Sequence, residues 1–142
     1  MIKGMNHCGI VVRNMDSAID FYRDVIGLEL LDQFERDSGP ISEVVGYENT
    51  HLKVAFFDIG EGHKFELLEY INPPPSGRPT EERNVLGASH LAFNTDDAKE
   101  TYKTLISKGA KGINPPVEVG PGKIACYFQD PDGNWLELIE MR

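Results

Sequence analysis

One pattern is written twice in this chain of 142 residues, and the repetition limits what it can fold into. The first copy opens with the apolar, β-branched run HCGIVV at residues 7–12. A helix is expected next, capped by Asp16, with Ala18, Phe21, Tyr22, Val25 and Ile26 on one face and Gly27 at its end. Strands are expected at 28–35, 51–59 and 63–71, the last two joined as a hairpin through Gly60-Glu61-Gly62. The second copy opens with HLAFNT at 90–95. Its helix, capped by Thr95, Asp96 or Asp97, carries Ala98, Tyr102, Leu105 and Ile106 and stops at Gly109. Strands follow near 110–113, at 123–129 and at 134–141, with Asp130-Pro131-Asp132-Gly133 as the turn between the last two. Each copy therefore reads β-α-β-β-β, an α+β class. The chain is expected to be a single domain over 1–142, with module one at 1–71, a Pro-rich linker at 72–87 and module two at 88–142.

A repeat makes residues comparable in pairs. His7 and His90 each open the first strand of a copy, while Glu66 and Glu137 each lie in the last strand, in FELLEY and LELIEM. Two half-sites related by a pseudo-two-fold axis would bring two imidazoles and two carboxylates together. Such an N₂O₂ set binds a divalent first-row metal and leaves positions free for water or substrate. Strand alternation puts Glu66 on one face with Leu68 and Tyr70, and Glu137 with Trp135 and Ile139. A carboxylate on a largely apolar face is exposed at an edge, paired, or bound to a cation. Glu69 and Glu140 fall on the opposite faces near the strand ends and are expected to be solvated. His63, in the tight turn, is expected to be solvated as well, and His51 is a candidate to line a pocket.

The net charge of −9 argues against nucleic acid as a partner. No apolar run reaches the roughly 18 residues of a bilayer span, so no membrane segment is expected. Cys8 and Cys126, both within apolar runs, read as reduced packed thiols, which suits a cytoplasmic protein. Arg78 and Arg83 are the basic residues of the linker, and a solvated loop is the simpler reading of them.

His7 and its strand, Ala18–Tyr22 through Gly27-Leu28, FELLE at 65–69, His90–Phe93 and Asp130–Leu138 together resemble the vicinal oxygen chelate superfamily. That superfamily includes glyoxalase I, methylmalonyl-CoA epimerase, extradiol dioxygenases and the fosfomycin and bleomycin resistance proteins. The resemblance implies two paired β-α-β-β-β modules forming a curved, partly closed mixed sheet around a metal site. It implies His7, Glu66, His90 and Glu137 as ligands of one divalent ion per site, whether zinc, nickel, cobalt, manganese or iron. It further implies a lyase or isomerase that chelates two adjacent oxygens of a small substrate and stabilises an enediolate. Glu137 would then be the catalytic base. A homodimer is the expected assembly. Two alternatives remain: an Fe(II) extradiol-type dioxygenase, for which His7, His90 and Glu137 would suffice, and a metal-free binding protein of the resistance type. Glyoxalase I holds glutathione with an Arg four residues after the first His and an Asn four residues after the second ligand. Val11 and Tyr70 stand there in this chain, so those two glutathione contacts are not matched, and whether glutathione or another thiol serves is left open by the resemblance.

Overall fold

Each copy of the repeat builds its own mixed sheet. The computed structural model describes residues 1–78 and 81–142, so Pro79 and Thr80 of the expected linker lie outside the described residues. The chain divides into the units Met1–Gly77 and Arg78–Arg142.

In the first unit the order along the chain is β1 (His7–Val11), α1 (Met15–Asp20), a π-helical turn (Phe21–Ile26), β2 (Glu29–Arg36), α2 (Ile41–Val45), β3 (His51–Asp58) and β4 (Lys64–Asn72). The sheet order is β1-β4-β3-β2, with β1 parallel to β4 and the other pairs antiparallel. Asn14 caps α1, two residues before the expected Asp16: its Oδ1 accepts the Ser17 N–H at 2.9 Å. Gly27 ends the helical segment in the left-handed region at φ 94°, where the N–H groups of Gly27 and Leu28 both donate to the Tyr22 carbonyl. The side chains of Phe21 and Tyr22 are buried, and Tyr22 meets Phe65 edge-on with centroids 4.9 Å apart. That contact seats the helix on the core face of β4.

The second unit runs β5 (His90–Asn94), α3 (Ala98–Ser107), β6 (Lys111–Gly112), β7 (Val117–Gly120), β8 (Lys123–Gln129) and β9 (Trp135–Met141). Its sheet order is β5-β9-β8-β6, with β7 also on β8 and β5 parallel to β9. Asp97, one of the three expected caps, accepts the Glu100 N–H at 2.9 Å. The expected strand near 110–113 is shorter than anticipated, and β7 was not foreseen. Both β6 and β7 pair with β8. Between them stand Pro115 and Pro116, which have no N–H to give a ladder, so the edge is broken into two short strands. The turn after β8 follows expectation: the buried Asp130 carboxylate accepts the N–H groups of Asp132 and Asn134, and Gly133 takes φ 81°. No helix among the described residues is long and apolar enough to cross a membrane.

Candidate functional site

In the first unit, parallel pairing of β1 with β4 sets Gly9 opposite Glu66. His7, two residues earlier on the same face of β1, brings its Nε2 to 3.3 Å from Glu66 Oε2. The imidazole is more than one-third exposed, at 37%, whereas the carboxylate is 15% exposed. Burial pushes the Glu66 carboxyl up, and the neighbouring imidazole partly opposes that rise. Asn6 Oδ1 lies 2.7 Å from His7 Nδ1. In the tautomer that donates Nδ1–H to Asn6, Nε2 presents its lone pair toward the carboxylate. Gly9 makes the room: a Cβ there would stand 2.8 Å from Glu66 Oε2.

The second unit repeats the arrangement. Ala92 pairs with Glu137 across β5 and β9, and His90 Nε2 is 3.1 Å from Glu137 Oε2. The exposures are again unequal, 43% for the imidazole and 16% for the carboxylate. Tyr127 stands opposite Glu137 on β8 as Phe56 stands opposite Glu66 on β3. Each of these rings meets its histidine edge-on, Phe56 at 5.6 Å from His7 and Tyr127 at 5.0 Å from His90. The Tyr127 hydroxyl is 3.3 Å from His90 Nε2 and has no counterpart in the first unit. It was not singled out in the sequence, although comparing the residues opposite the two carboxylates would have found it.

The spacing of both pairs is compatible with a shared cation as well as with a direct hydrogen bond. Charge-assisted N–H···O contacts run at roughly 2.7–2.9 Å. Two donors each about 2.1 Å from one metal lie roughly 3.0 Å apart at a right angle and about 3.4 Å apart at the tetrahedral angle. The observed 3.3 and 3.1 Å fall in that interval. Each unit offers two donors, and among the described residues no group of three or more His, Cys, Asp or Glu side chains is gathered to hold an ion.

The rival carboxylates are not solvated as expected. Glu69 is 8% exposed and Glu140 4%. Glu69 Oε2 accepts the N–H of Met15, the first residue of α1, at 2.6 Å, and Glu140 Oε2 accepts that of Ala98, the first of α3, at 2.9 Å. Strand alternation had placed them on the opposite faces correctly, but those are the core faces, alongside Phe65 and Leu67 in β4 and Leu136 and Leu138 in β9. Buried carboxylates survive there because a helix N-terminus supplies unsatisfied N–H donors and positive potential. His51 binds Glu35 at 2.9 Å, and His63 is exposed in its turn.

The Glyoxalase/Bleomycin resistance protein/Dioxygenase superfamily model matches residues 4–138, and the chain belongs to that superfamily. It is 30% identical over 141 residues to the uncharacterised Bacillus subtilis protein YwbC, covering 99% of both chains. It is 25% identical over 138 residues to the mitochondrial methylmalonyl-CoA epimerase of Dictyostelium discoideum, covering 96% of this chain and 76% of that one. Lactoylglutathione lyases are also among its relatives. A glyoxalase family protein from Bacillus cereus superposes with a TM-score of 0.90 at 25% identity, over 99% of this chain and 95% of that one.

Proposed function

We propose that the chain is a divalent-metal-dependent lyase or isomerase of glyoxalase-like type, with His7, Glu66, His90 and Glu137 as ligands and Glu137 as the catalytic base. The observation that carries this reading is the duplicated pair, a histidine Nε2 within 3.3 Å of a half-buried glutamate Oε2 at the same place in each unit. Recurrence alone follows from the repeat, as the Glu69 and Glu140 anchors show, but a structural pair gains little from leaving each imidazole open to solvent. A ligand site needs that opening. Relatives that are epimerases and lyases act in the same chemical class.

When bound, a divalent metal supplies Lewis-acid polarisation of two adjacent oxygens of a small substrate. The chain supplies the rest. His7 and His90 offer neutral nitrogen donors, with Asn6 fixing the His7 ring. The Glu137 carboxylate takes a proton from the substrate carbon next to those oxygens and returns it to the neighbouring position. Phe56 and Tyr127 meet the two imidazoles edge-on and support one side of each ring. The dimer and cytoplasmic location belong to the same proposal.

Metal analysis of the purified protein tests it. Near-stoichiometric divalent metal is expected in the wild type, lost in a His7→Ala/His90→Ala double variant. Exchange of a substrate C–H in deuterated water should need both the metal and Glu137. Metal content unchanged in the double variant, or oxygen uptake with catechols by iron-loaded protein, would overturn the reading.

A further inference from the structure

A cavity of about 230 Å³ opens within the second unit, with Glu137 as part of its lining. Its walls are chemically divided. Ile113, Pro115, Val117 and Val119 are apolar, and the two valines of β7 are 57% and 58% exposed. Arg83, Asn114, Tyr127 and the Glu137 carboxylate supply the polar groups, Arg83 being the one cation among them. The Arg83 guanidinium lies over the Trp135 ring, 4.3 Å from its centroid. Stacking occupies the face of the guanidinium and leaves its N–H edges available, which is how arginine receives a carboxylate with two parallel hydrogen bonds. Among the described residues, no carboxylate lies within ion-pairing distance of Arg83. Arg83 is an exposed loop residue, as the sequence led one to expect, and its guanidinium is nevertheless stacked beside the cavity.

We propose that this cavity is a specificity pocket for a small carboxylate with a short alkyl body. Arg83 receives the carboxylate and Val117 and Val119 cover the alkyl part. At about 230 Å³ the cavity has room for the carboxylate and alkyl body of a molecule of a few carbons. The substrate class for the reaction at Glu137 is then a short-chain acid or its oxygenated derivative. That last step rests on the function proposed for Glu137, whereas the binding site itself does not.

Trp135 is the only tryptophan of the chain, and it lies directly under Arg83, so its fluorescence reports the pocket. The experiment titrates the metal-stripped full chain with isovalerate and with isovaleramide, which match in shape and differ in charge. Saturation-transfer NMR on the ligand methyl groups gives a second readout that does not depend on the indole. Isovalerate is expected to give a saturable change, with the amide at least about tenfold weaker. Arg83→Gln should weaken isovalerate by at least about tenfold, and Arg83→Lys by less, since it keeps the charge but loses the fork. Equal binding of acid and amide, wild-type affinity in Arg83→Gln, or no saturable binding of isovalerate would each overturn the proposal. The two readings fail separately. A His7→Ala/His90→Ala variant that keeps its metal removes the proposed reaction and leaves Arg83-dependent carboxylate binding standing. Loss of that binding leaves the metal stoichiometry untouched.

Discussion

Glu69 Oε2 accepts the backbone N–H of Met15 at 2.6 Å, tying the last strand of the first unit to the first residue of its helix across 54 positions of sequence. The equivalent bond from Ala98 to Glu140 spans 42 positions in the second unit. One glutamate of each strand thus holds the helix, while its neighbour three residues earlier, on the other face, pairs with the histidine. Replacing Glu69 by Ala leaves a buried N–H without an acceptor and should cost about 2 kcal/mol in urea unfolding. Glu69→Gln keeps an acceptor oxygen and should cost roughly half as much. Glu66→Gln should leave the unfolding midpoint close to wild type while removing metal. The reverse ranking would mean that Glu69 is not the helix anchor.

The second anchor titrates in a direction that the structure fixes. The Ala98 N–H, and then the Arg142 guanidinium, hold the Glu140 carboxyl below its ordinary value. A depressed folded pKa contributes stability above the unfolded value of about 4.3 and loses it as pH falls through the folded value. The stability difference between wild type and Glu140→Gln should therefore be full near neutrality and shrink below about pH 4. Chemical denaturation of both proteins between pH 7 and pH 3 measures it. A difference that grows on acidification would contradict the assigned bonds.

Much of this was legible because the pattern occurs twice. The 3.6 and 2.0 periodicities located α1, α3 and nearly all the strands but not the short α2, and the strand parity separating Glu66 and Glu137 from Glu69 and Glu140 was correct. What parity does not say is which face is the core. Glu69 and Glu140 looked solvated because nothing local announces a donor such as Met15 N–H, which reaches β4 only after the chain has folded back. The same limit hid β7. Val117 and Val119 alternate over four residues, too few to stand out beside two prolines. Arg83 gained meaning only from the Trp135 ring 52 positions away in sequence.

The two thiols should differ in reactivity. Cys126 is buried at the floor of the cavity, and burial pushes its thiol up to about 11. At pH 8 its thiolate fraction is then about one part in a thousand. Cys8 is half-buried, and burial raises its thiol as well. In native protein a disulfide reagent at pH 8 should modify Cys8 slowly and Cys126 only on unfolding, with peptide mapping to assign the sites. Rapid loss of Cys126 first would show that the second unit opens more readily than its packing implies.

Gly9 is where the two units differ most usefully. A Cβ at this position would stand 2.8 Å from Glu66 Oε2, whereas the equivalent residue opposite Glu137 is Ala92, which already carries one. The obstructed atom is the end of a flexible side chain, so Gly9→Ala should fold normally, with the Glu66 carboxylate turned away from His7. Displacing a ligand or its immediate support typically costs roughly 10- to 100-fold in metal affinity. Competition with a chromophoric chelator should therefore show metal held at least about tenfold more weakly in Gly9→Ala, while Ala92→Gly stays near wild type. If Gly9→Ala binds metal as tightly as the native chain, then Glu66 is not a ligand. His7, His90 and Glu137 alone would then make the two-histidine, one-carboxylate set of an iron site, and the proposed lyase or isomerase chemistry would give way to the dioxygenase reading.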